Sequence, residues 1–185
     1  MRKKLASQKG MTLIEMLAAV LIIALLAAGM SAGMTSGMRV YASAAFESGS
    51  SALAANINTT LADLLGYSSN FIQPAQEGAP EFLITNWEYG IENCYIDCPK
   101  DDPLSDTDDW GIVRVYHWST SPADTRPPKA LVNSGSYDNL RVTDFTIHPV
   151  SDIHGNYFEI SYRIISTVDA NSSRDVKSIV RMMNP

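Results

Sequence analysis

Between Met16 and Met38 the chain carries no charged side chain, and on either side of that run the pattern of apolar positions changes. Wound as a helix at about 1.5 Å per residue, the run spans about 34 Å, enough for the hydrocarbon core of a bilayer. Beyond it, apolar residues recur at helical spacing: Met34, Met38, Tyr41 and Ala45, then Leu53, Ile57, Leu61 and Leu64. The positions between them are filled by Ser, Asn and Ala. Gly66 follows as a natural C′ residue. The pattern predicts a single helix from Met11 to Leu65, about 55 residues and about 80 Å long. Its outer half is amphipathic and requires a surface to cover it.

From Tyr67 the period falls to two. Phe158, Ile160, Tyr162 and Ile164 alternate with Glu159, Ser161 and Arg163, which predicts a half-buried strand. Ile112–Trp118 and Asp175–Met183 read the same way, and Glu81–Trp87 and Lys129–Asn133 are further strand candidates. Leu140 and Val142 share one phase, Phe145 and Ile147 the other, so a bulge near Thr143 and Asp144 is expected. Turn-forming clusters separate these runs, among them Ser134-Gly135-Ser136. Tyr89 to Trp110 shows neither period and reads as an irregular loop. The prediction is an α+β chain: a long N-terminal helix packed on an antiparallel sheet of four to six strands.

Charge adds a direction. Arg2, Lys3, Lys4 and Lys9 precede the apolar run with no acid among them, which places the N-terminus in the cytoplasm and everything after Met38 outside. Removing residues 1–10 takes the formal charge from -6 to -10. So acidic an outer domain repels nucleic acid and anionic surfaces, and no nucleic-acid partner is expected. An ordinary secretory signal peptide also begins basic and turns apolar. Against it stand Glu15, a carboxylate inside the apolar region, and a run longer than an h-region of about 7–15 residues.

The stretch Lys9-Gly10-Met11-Thr12-Leu13-Ile14-Glu15-Met16-Leu17 resembles the prepilin signature of type IV pilins and type II secretion pseudopilins. In that family a basic leader ends in Gly, a prepilin peptidase cuts after it and methylates the new N-terminus, and the fifth mature residue is Glu. The resemblance makes Gly10 the last leader residue, Met11 the cleaved and methylated N-terminus, and Glu15 the assembly residue that sets register against a neighbour's amino terminus. Pairing with its own chain's Met11 amine, four residues away on one helix face, would equally remove an unpaired charge, and a snorkelling Glu15 without a partner is the plainer alternative. Met11 stands where the family often has Phe. Many pilins also have a Pro in this helix, and this chain has none. Gly29, Gly33 and Gly37 fall every four residues, a spacing suited to close helix packing.

The resemblance implies a pilin-like fold divided as residues 1–10 leader, 11–38 transmembrane and polymerisation helix, 39–66 amphipathic stalk and 67–185 outer globular β-rich domain. It implies a structural subunit, expected to be a minor one, of a pilus or pseudopilus. Its partners would be other pilin subunits, the prepilin peptidase, the assembly platform and the membrane. The subunit would wait in the cytoplasmic membrane before joining a filament at the cell surface. Adhesion, motility, secretion and competence all fit such a role. The alternative is a membrane-tethered binding module or enzyme that uses the helix only as an anchor.

The outer domain offers little chemistry. Cys94 and Cys98 permit one disulfide in an exported chain, and that pairing is expected, with free thiols as the alternative. The same loop, Tyr89 to Trp110, holds Asp97, Asp101, Asp102, Asp106, Asp108 and Asp109. Some pseudopilins bind calcium in a comparable loop, and Asp101, Asp102, Asp106, Asp108 and Asp109 are the candidates. The run from Asp106 begins like an EF-hand but has His117 at the twelfth position, so a solvated acidic loop without metal is expected. His117, His148 and His154 lack metal-ligand spacing, and neither a nucleophile elbow nor a phosphate loop is present. No catalytic activity and no cofactor are expected. Tyr89, Tyr95 and Trp110 are candidates for a ligand-contact patch or simply for loop anchors.

Overall fold

A computed structural model describes residues 12–73, 80–98, 110–119, 126–152, 155–169 and 171–183. The expected helix is present as α1, Leu13–Gly66, 54 residues long. The chain divides into two compact units, Met1–Ala45 and Phe46–Pro185.

In the first unit α1 is apolar on every side. Leu13, Ile14, Leu17, Val20, Ile23, Leu26, Met30 and Met34 are all exposed. A helix with no polar face belongs among lipid tails or other apolar helices. From Leu13 to Ala45 its charged residues are Glu15 and Arg39.

The second unit holds the core. The outer part of α1 buries Leu53, Ile57, Leu61, Leu64 and Leu65, the 3.6-residue stripe read from the sequence. Among the described residues eight strands accompany it: β1 (Asn70–Ile72), β2 (Leu83–Asn86), β3 (Ile91–Asp97), β4 (Arg114–His117), β5 (Lys129–Ala130), β6 (Leu140–Asp152), β7 (Gly155–Ser166) and β8 (Ser173–Arg181). They form two antiparallel sheets and not one. The first is β1-β2-β3-β4-β5 and the second β6-β7-β8, each with neighbours in chain order. After β5 a 3-10 turn, Ser134–Ser136, is fastened by Asn133, whose side-chain oxygen accepts from Gly135 N at 2.9 Å. There the chain leaves the first sheet and begins the second.

The second sheet packs on α1 through the alternating side of β7. Phe158, Ile160, Tyr162 and Ile164 are buried. Tyr162 OH donates to Asn58 Oδ1 at 3.0 Å, and Ser178 of β8 reaches the same oxygen at 3.2 Å. The expected bulge is at the expected place. Thr143 pairs with Arg163 and Thr146 with Ser161, so β6 carries one extra residue, and Asp144 takes φ +51°. That insertion lets Val142 and Ile147 both face inward despite their odd spacing.

The connection into β4 requires a glycine. Gly111 has φ +68°, and a Cβ there would lie 2.7 Å from Arg141 Cβ. Its carbonyl accepts from Val142 N at 2.9 Å, a backbone bond that ties β6 to this connection.

Two expectations need correction. Tyr89 to Trp110 is not wholly irregular, because Ile91–Asp97 forms β3. Cys94, Ile96 and Cys98 do alternate inward. Asn93 at φ +49° breaks the phase before them, and the flanking acids hide the period. The disulfide is the second. Both cysteines are free thiols and buried. Four residues along an extended chain separate Cα atoms by about 13 Å, well beyond the reach of a disulfide.

Candidate functional site

The helix start is assembled from four residues. Thr12 precedes α1 and Glu15 lies in its first turn. Thr12 N donates to Glu15 Oε2 at 2.8 Å, and Thr12 Oγ1 donates to the same oxygen at 3.0 Å. Glu15 N donates back to Thr12 Oγ1 at 3.3 Å. This is a reciprocal capping box: T-x-x-E satisfies two of the amide donors that a helix N-terminus leaves without partners. The carboxylate also faces the positive end of the helix dipole. The Thr12–Glu15 spacing is legible in the sequence as a cap, a role for Glu15 beside pairing with an amino terminus or snorkelling. Gly10 and Met11, the expected cleavage and methylation positions, lie outside the described residues.

Gly29, Gly33 and Gly37 lie on exposed helix, and a Cβ built on any of them would have no neighbour within 4 Å. Among the described residues nothing covers this stripe. α1 is the one helix among the described residues that is long and apolar enough to cross a membrane.

The other candidates scatter. Tyr95 stacks on Tyr116 with centroids 5.1 Å apart, Trp110 carries the Arg141 guanidinium at 5.7 Å, and Tyr89 stands exposed on the β2–β3 turn, so they form no common patch. Asp101, Asp102, Asp106, Asp108 and Asp109 lie outside the described residues, as does His154. Among the described residues no three of His, Cys, Asp and Glu are grouped to hold a metal ion. His148 Nδ1 meets Glu81 Oε2 at 3.3 Å on the surface. Burial pushes the Cys94 thiol above its ordinary pKa, opposed by the Glu92 carbonyl contact and by the nearby cations Arg126 and Lys129. Cys98 Sγ lies 3.4 Å from Val142 O.

The last turn of α1 has its own construction. Leu64 O accepts from Ser68 Oγ at 2.7 Å and from Asn86 Nδ2 at 3.0 Å, and Gly66 O accepts from Met183 N at 2.8 Å. The Asn86 oxygen meanwhile takes Glu88 N at 3.1 Å and Tyr89 N at 3.4 Å. One fully buried amide thus joins the helix end to the β2–β3 turn and holds Trp87 and Tyr89 out in solvent.

These features define a class of protein: a capped N-terminal helix suited to lipid or to its own kind, continuing into an α+β domain. Residues 5–31 match the family described as the prokaryotic N-terminal methylation motif, which is the signature of type IV pilins and pseudopilins. No curated protein and no solved structure matches the chain.

Proposed function

We propose that the chain is a structural subunit, a minor one, of a type IV pilus or pseudopilus. A prepilin peptidase cuts it after Gly10, Met11 becomes the methylated N-terminus, and the subunit enters a filament through its N-terminal helix. Other pilin subunits and the assembly platform are its partners. Its role is structural and not catalytic. The large outer domain, with its acid-rich stretch from Asp97 to Asp109, favours a minor over a major subunit.

One observation carries the reading. The methylation motif at 5–31 leads into a helix whose apolar side chains and glycine stripe are exposed from Leu13 to Met38. A tether needs only length and apolar content. A polymerisation helix also needs the peptidase motif and a surface that neighbours can pack against.

The test is the mass and N-terminal peptide of the protein recovered from cells that contain a prepilin peptidase. The expected N-terminus is N-methylated Met11. An intact Met1, or cleavage at another position, overturns the proposal.

A further inference from the structure

We propose that a cleft between the two sheets of the outer unit binds an organic ammonium ion, an amine or quaternary ammonium on an aliphatic stem. This inference stands independently of the filament reading. The cleft has a volume of about 400 Å³, within the range of about 300–1,000 Å³ usual for small-molecule sites. Its walls come from the segment entering β2, from β3, from the end of β4 and from β6, so both sheets contribute.

The lining selects for charge. Glu81 and Asp97 supply two carboxylates, and the described lining contains neither Lys nor Arg. His148 is the one other titratable side chain with a basic nitrogen, and Glu81 already engages its Nδ1 at 3.3 Å. Asp97 Oδ1 accepts from Cys98 N at 2.8 Å, which fixes the second carboxylate on the backbone. An anionic ligand would meet these two charges unfavourably.

The aromatic lining selects for an organic cation over a bare metal. Phe82, Tyr95, Trp118 and Phe145 all reach the cleft. Tyr95 and Trp118 meet edge to face at 6.4 Å and 73°, and Tyr95 is braced by its stack on Tyr116. Ring faces attract ammonium groups and accept aliphatic stems. They give no lone pair to calcium, which takes about six to eight oxygen ligands. Two carboxylates against aromatic walls therefore fit a cation with an organic body.

Calorimetric titration of the full-length protein in detergent tests this with three probes: choline, Nα-acetyl-lysine amide and 3,3-dimethylbutanol, the uncharged isostere of choline. At least one of the two cations is expected to bind saturably, about tenfold more tightly than the neutral isostere, a gap of about 1.4 kcal/mol. The double variant Glu81→Gln/Asp97→Asn is expected to lose about tenfold in affinity, and Trp118→Leu about threefold or more. Melting of each variant separates lost binding from lost fold. The proposal is overturned if neither cation saturates below about 50 mM, if the neutral isostere binds as well as choline, or if the folded double variant binds like the wild type. The comparison with the isostere uses unmodified protein and decides the matter even if the variants do not fold.

Discussion

Replacing Asn86 by Ala should loosen the outer unit far more than one small polar residue suggests. The side chain is fully buried and makes three contacts: to Leu64 O at 3.0 Å, from Glu88 N at 3.1 Å and from Tyr89 N at 3.4 Å. The last is long and counts for little. The other two contribute about 1 kcal/mol each, the usual net value of an intramolecular hydrogen bond. Leu64 O keeps its bond to Ser68 Oγ, so no fully orphaned carbonyl remains. The amides of Glu88 and Tyr89 lie in a turn on exposed residues and can be hydrated. Removing the amide group also leaves a small cavity, so the total is about 2–3 kcal/mol. For a unit of this size that corresponds to a fall in Tm of about 6–12 °C.

The assay is thermal unfolding of the detergent-solubilised protein followed by near-ultraviolet circular dichroism, which reports packed aromatics. Hydrogen exchange at the Glu88 and Tyr89 amides supplies a local readout, and both should exchange faster in the variant. Asn86→Asp should be worse than Asn86→Ala, because it removes the donor and buries a charge. Glu88→Ala, on the exposed turn, should change stability by under about 0.5 kcal/mol. If Asn86→Ala costs no more than Glu88→Ala, the buried amide is not what joins the turn to the helix.

Three further outcomes are expected. Alkylation without reductant should label neither cysteine in the native outer unit and both after denaturation; a mass two hydrogens short after denaturation would restore the disulfide. Burial pushes the Tyr137 phenol up to about 12, against the opposing bond from Val113 N. A folded pKa raised above the unfolded value near 10 gives stability that is complete below pH 10 and lost as pH climbs towards 12; a Tyr137→Phe variant should show a shallower loss over that window, and an unchanged slope would refute the assignment. Glu15→Val should leave membrane insertion and cleavage intact but reduce this subunit in filaments sheared from cells, and wild-type amounts in the sheared fraction would remove Glu15 from assembly.

The most legible parts of the sequence were those where one period ran uninterrupted. Leu53, Ile57, Leu61 and Leu64 gave the buried stripe of α1, and Phe158 to Ile164 gave the inner side of β7. Even the β6 bulge could be read, because the apolar residues on both sides of it kept their phase. Legibility failed where the period was short or broken. β1 has three residues, too few to establish alternation, and β5 keeps only the first two residues of the candidate strand Lys129–Asn133. β3 loses its phase at Asn93. The division into two sheets depends on pairing between distant segments, which no local pattern encodes. The cleft joining them was invisible for the same reason: Glu81, Asp97, Trp118 and His148 come from four separate stretches.

The capping box changes what Glu15 must be asked to do. Read from the sequence, it is a costly charge in an apolar segment, held there by attraction to an amino terminus. In the structure it already has a local partner in Thr12, with which it exchanges three hydrogen bonds. Those bonds answer a need of the helix itself, since its first amides would otherwise lack acceptors where water is scarce. Both Thr12 donors converge on Oε2, which leaves Oε1 for a further donor. The two roles therefore do not compete for the same lone pairs. A neighbour's amino group could approach Oε1 while the cap stays closed, and it would meet a carboxylate already oriented by Thr12. Preorganisation of that kind lowers the entropy lost on association. It also makes the carboxylate's position along α1 a fixed polar mark on an apolar surface whose other feature is the stripe of Gly29, Gly33 and Gly37.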